Sequence, residues 1–443
     1  MRRKSWKAIA CMGTLLLCLA GCESVPPERE PDPDSPIEDS ATIIASDAQD
    51  DDRFGWSVDF DGSSLVAGTN PMFASGIFRG KAYVYSRNQG GTDNWGEVRK
   101  LAAGDIEDYD LFGYSVSVDG DTAMVGAFSE DGLGVDRGAA YIYSRNLGGA
   151  DRWGEFKKIA PADVQDSDRF GYSVALDGDR AIIGAPYKRE AGLFYGAAFV
   201  FDRDRGGPGN WGEVKKITAN DIEPSDAFGY SVAIDRDTAL VGSLYENGVG
   251  YLRGAAYVFY RDYGGADNWG EVKKLTAFDA ENQDQFGISV AISGDLAIVG
   301  ADWKHEAGDE KGAAYIFGRH QGGADNWGLV KKLAASDGAY GDAFGISVSI
   351  SEEYAIVGAP GNSTAIVGLG AVYVFQRNLG GADNWGEAGK IVPVDANEGC
   401  WFGWSTALAG DMVAVGAPIK RGAGSERGAV YVIRLKTGPP ARS

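Results

Sequence analysis

Residues 169–186 read "RFGYSVALDGDRAIIGAP". Apolar and polar side chains alternate over "YSVALD" (172–177), the period of a strand with one face buried. "DG" then supplies a tight turn, with Gly178 free to take positive φ, and "RAIIGAP" (180–186) forms a second strand. A nine-residue loop leads to "GAAFVFDR" (196–203), and "EVKKITA" (213–219) follows the turn "DRGGPGNWG". Four strands per unit result, and no segment carries a helical period.

The unit recurs. Phe-Gly pairs begin at Phe54, Phe112, Phe170, Phe228, Phe286, Phe344 and Phe402, always 58 residues apart. Trp95 through Trp385, Gly68 through Gly416 and Gly80 through Gly428 keep the same phase. A fixed period of this length marks an array of supersecondary units. The seventh unit stops after its third strand, "AVYVIRLK" (429–436), while "ATIIASD" (41–47) aligns with the fourth-strand segment "KLAAGD": Ile43 with Leu101, Asp47 with Asp105. An N-terminal strand that completes the last unit requires the chain ends to meet. The prediction is an all-β fold: a seven-bladed β-propeller of four-stranded antiparallel blades over 41–436, closed by the N-terminal strand. The serines two residues after each Phe-Gly (Ser57, Ser115, Ser173, Ser231, Ser289, Ser347, Ser405) fall at the start of the innermost strand. Blade packing accounts for them.

The pattern "FGYSVALDGDRAIIGAP…GAAFVF" resembles the FG-GAP repeat, the blade unit of the integrin α-subunit propeller. Units carrying "GGADNWGEVKKL" (264–275) bring the chain closer to the bacterial FG-GAP proteins. The resemblance implies an adhesion or ligand-binding platform. Family members that bind calcium use a long Asp-rich loop between strands 1 and 2. Here that connection is two to four residues, as in "DGD" or "SGD", too short to supply six to eight oxygens, so those calcium sites are not carried over.

Composition adds a location. "MRRKSWK" followed by "AIACMGTLLLCLA" is a basic and then apolar leader ending in "LAGC", residues 19–22. This resembles a bacterial lipobox, which makes 1–21 a signal peptide and Cys22 the lipidation site. The Pro- and acid-rich segment 22–40 is read as an extended tether, and 437–443 as a tail. With Cys11, Cys18 and Cys22 so used, Cys400 is left as a lone thiol in an acidic, aromatic setting and is read as passive. The formal charge of −21 repels nucleic acid, so membrane contact is expected through the lipid alone. The expectation is a monomeric, exported bacterial lipoprotein on the cell envelope, at the outer membrane if the cell is Gram-negative.

Catalytic chemistry finds little purchase. His305 and His320 are the only histidines, and they fall on opposite propeller faces. No enzyme is expected; the rival reading is a polysaccharide-active enzyme using carboxylates near the channel, or a structural envelope component. Aspartates recur before each Phe-Gly, as in Asp105, Asp108, Asp110 and Asp163, Asp166, Asp168. They form weak calcium candidates, but the favoured reading is Asx-turns with no cofactor. The strand 2–3 loops differ completely between copies, as binding loops on a rigid scaffold do. Tyr187, Phe194, Tyr245, Tyr251 and Trp303 lie there and are the candidate contacts for a protein or glycan ligand.

Overall fold

The computed structural model describes residues 36–436, apart from 72–78, 133, 249, 307–308, 364–367, 394, 396–398 and 423. The leader, Cys22 and the C-terminal tail lie outside the described residues. Seven four-stranded antiparallel sheets follow one another along the chain, each in simple up-and-down order. In the third, Ser173–Asp177, Arg180–Ala185, Ala197–Asp202 and Gly212–Ile217 pair in sequence. These bounds match the sequence reading within two residues. Small two-stranded ribbons inside the strand 2–3 loops, Arg189–Glu190 with Leu193–Phe194 and His305–Glu306 with Asp309–Glu310, are additional.

Burial explains why the strands read differently. The first strand of blade three alternates between half-buried and buried positions, whereas its second and third strands are buried almost throughout. A strand covered on both faces needs a continuous apolar run, and "AIIGA" and "AAFVF" provide it. The cover is the neighbouring blade. Each of seven hydrophobic clusters spans one blade-to-blade junction; one joins Met124 and Ile142 of blade two to Phe199 and Trp211 of blade three, around the buried Phe170.

The ring closes. Ser405–Ala409, Met412–Ala417 and Ala429–Leu435 take Ile37–Ile43 as their outer strand, with Ile43 opposite Val430. Leu101 opposite Ala82 is the same register in blade one. The closing strand starts earlier than expected, at Ile37 rather than residue 41, and ends at Ile43 rather than 47. Lys436 N–H donates to the Pro36 carbonyl (2.8 Å). The last residues assigned to the tether therefore belong to the blade, because backbone pairing tolerates the exposed Glu38 and Asp39 side chains at an outer edge.

Two features lock neighbouring blades at the centre. Each strand-1 serine donates to the carbonyl of the next Phe-Gly glycine at 2.7–2.9 Å, from Ser57 to Gly113 round to Ser405 to Gly55. The glycine ending strand 2 lies against the same carbonyl: a Cβ on Gly184 would sit 2.0 Å from Gly229 O. Only glycine fits.

Candidate functional site at the loop face

Each Phe-Gly loop is stitched to the strand 2–3 loop of the preceding blade; Phe170 N–H, for instance, donates to Arg137 O and Ser167 N–H to Val135 O. Both loop sets therefore share one face. The residue after each Phe-Gly is half-buried and apolar in character: Trp56, Tyr114, Tyr172, Tyr230, Ile288, Ile346 and Trp404. Five of these rings form an unbroken arc. Centroid separations are 4.5 Å for Trp404–Trp56, 5.9 Å for Trp56–Tyr114, 5.0 Å for Tyr114–Tyr172 and 4.9 Å for Tyr172–Tyr230. Trp401 stacks on Trp404 at 5.1 Å, and the hydroxyls of Tyr114 and Tyr172 are bonded at 3.0 Å. Burial, then the neighbouring tyrosines, push the Tyr172 and Tyr230 phenols well above their ordinary pKa, so both stay neutral.

The arc extends outward over blades two and three. Phe128 packs edge-on to Tyr114 (4.5 Å), and Tyr187 meets Tyr172 (6.4 Å) and Phe194 (5.7 Å). The Arg169 guanidinium lies over the rings of Phe128 and Tyr187, at 5.4 and 4.5 Å. Of the five loop residues singled out from sequence, Tyr187 and Phe194 thus join one cluster. Burial, then the charge of Tyr187, raise the Tyr245 pKa. Tyr251 and Trp303 are exposed. The sequence signal of the arc is the bulky residue after every Phe-Gly, which lies outside the variable strand 2–3 loops.

Asp302 follows directly on the second strand of blade five, Leu296–Ala301. It is 5% exposed, and its Oδ1 has no hydrogen-bond partner. Burial, opposed only by the backbone N–H groups of Asp302 and Trp303, lifts its pKa to about 7.

The acidic loops have protein partners. Asp105 accepts from Tyr141 (3.0 Å) and Lys158 (2.6 Å); burial pushes its pKa up, but these bonds outweigh it and hold the carboxyl below its usual value. Asp163 faces Lys216 at 3.1 Å. Asp108 is paired with Arg79 (2.8 Å), and Asp166 lies close against Gly134 of the neighbouring loop. Asp110 and Asp168 accept backbone N–H bonds from Glu107 (2.6 Å) and Gln165 (2.7 Å), and Asp168 also meets buried Lys188 (3.0 Å). These backbone donors lie three residues upstream, not downstream as in the expected Asx-turn. The aspartate closes its own loop from the far end. Among the described residues no three His, Cys, Asp or Glu side chains converge as metal ligands.

Cys400 is buried and donates to Leu369 O (2.9 Å), and burial raises its pKa. His305 sits 3.5 Å from both Asp284 and Glu310 in a strand 2–3 loop, while His320 accepts from Asp325 N–H in a strand 3–4 turn.

Seven radial blades, a clasped ring and a loop face with an aromatic centre define a β-propeller of the repeat-array class. The FG-GAP repeat family matches residues 38–85, 95–143, 153–201, 211–259, 269–317, 327–375 and 385–433, and the chain belongs to that family. Each matched unit begins with the outer strand of one blade and ends with the third strand of the next, which is why the first unit supplies the last blade's edge. No curated protein gives a significant match.

Proposed function

We propose that this protein is a cell-envelope binding platform that engages a protein or glycan ligand on its loop face, without catalysis. The observation that carries this reading is the arc from Trp404 to Tyr230. Partly buried, preorganised aromatic rings offer apolar area at small entropic cost, which is what recognition surfaces use. Carboxylates near the inner strands, which a hydrolase would need, are committed to blade contacts. Asp59 accepts from Ser117 (2.8 Å), and Asp119 from Gly178 N–H (2.5 Å). A glycan array and crosslinking to isolated envelopes test the reading. Trp56→Ala with Tyr187→Ala should abolish binding while the melting midpoint stays within a few degrees of wild type. Retained binding would contradict it.

Anchoring follows from "LAGC": lipidated Cys22 holds the propeller at the envelope, and Cys22→Ser moves it from the detergent phase to the aqueous phase. Unchanged partitioning would overturn the anchor.

A further inference from the structure

Seven copies of one unit serve as each other's controls, and the copies depart from one another together at one place. On the face opposite the loops, where strand 1–2 and strand 3–4 turns meet, two adjoining clefts of about 490 and 390 Å³ share Arg236. In the sister blades the turn arginine is held by an aspartate of its own turn at 2.5–2.6 Å: Arg87 by Asp93, Arg145 by Asp151, Arg261 by Asp267, Arg319 by Asp325, Arg377 by Asp383. Blade three has Gly209 at that position. Its Arg203 is left with only the exposed Asp179 at 3.3 Å.

Other arginines gather round it. Arg205 stands where the sister blades carry Gln89, Leu147, Tyr263, Gln321 and Leu379. Arg236 replaces a glycine of the hairpin turn (Gly62, Gly120, Gly178, Gly294, Gly410) and keeps the left-handed φ of 52°. A bulky side chain resists that conformation, and packing does not explain it, because the Arg236 side chain is 80% exposed. Of the acids in the wall, Asp177 accepts Arg236 N–H, Asp204 accepts Gly209 N–H, and Asp202 faces Arg180 at 3.4 Å, while Asp179, Asp237 and Asp295 keep exposed carboxylates. Arg236 and Arg205 meet acids only at 3.4 and 3.6 Å. In the adjoining cleft Tyr263 exposes its ring.

We infer that these clefts form a second binding site, for an oligosaccharide bearing carboxylate groups. The guanidiniums of Arg203, Arg205 and Arg236 take the carboxylates, and the interleaved aspartates accept hydroxyls. Tyr263 offers a face to a pyranose ring. An acidic peptide would satisfy the arginines but brings neither the ring hydroxyls that the exposed aspartates accept nor a pyranose face for Tyr263.

The test is titration calorimetry on the full chain, with tetragalacturonate and a neutral malto-oligosaccharide of equal length as probes. Arg236→Gly and Arg205→Gln restore residues of the sister blades, so the fold is expected to survive both; melting curves check this. Saturable binding of the uronate, roughly tenfold weaker in each variant and roughly tenfold weaker for the neutral sugar, is the expected result. Absence of binding, equal affinity for the neutral sugar, undiminished affinity in folded variants, or preference for an oligoglutamate peptide would each overturn the proposal.

Discussion

Asp302 shows how one side chain sets a measurable pH dependence. Its carboxyl is buried with one oxygen unbonded and a pKa of about 7, against about 3.9 in an unfolded chain. A folded-state pKa above the unfolded value means that the folded protein binds more protons between these limits. The contribution to stability is complete below the unfolded value and is lost as pH rises through about 7. Asp302→Asn keeps the acceptor for the backbone N–H groups and cannot ionise. Its stability relative to wild type should therefore grow between about pH 4.5 and about pH 8, by on the order of 2–4 kcal/mol. Denaturant melts of both proteins across that range measure it. A difference independent of pH would mean that Asp302 is solvated. The same logic applies to Asp110 and Asp226, where burial lifts the pKa to about 6.

At the scale of the element, the blade junction is the weak point against substitution. The second strand of each blade approaches its neighbour so closely that a Cβ at its last glycine meets backbone at 1.9–2.2 Å in all seven copies. Backbone cannot step aside as a flexible side chain can. Gly184→Ala should cost about 3 kcal/mol or more, through forced separation of blades three and four; Gly192→Ala is the control, because nothing lies within 4 Å of its Cβ position, although its φ of 87° adds local strain. Equal melting midpoints would refute the close-contact account. The strands were legible because alternation and apolar runs are written directly in the chain. The early start of the closing strand was not. Glu38, Asp39 and Ser40 have the composition of a linker, and they are strand only because Arg434, Ile433 and their neighbours present an unpaired edge. The acidic loops were half legible: the periodic aspartates were visible, but the tyrosines and lysines that bind them lie 36 and 53 residues away, respectively.

For the whole molecule, the geometry of either face depends on a rigid ring, since the aromatic arc draws residues from five blades and crosses the junction between the last and the first. That junction has no covalent tie other than the strand Ile37–Ile43, whose chain runs on through the acidic loop to Phe54 in blade one. Removing the strand exposes an edge on blade seven and frees the first blade from the last. The direct measurement compares two truncated chains by thermal unfolding, one beginning at Pro36 and one beginning at Ser46. The account predicts that the first melts like the full chain and that the second melts far lower or aggregates. If the two melt alike, the N-terminal strand does not hold the ring closed.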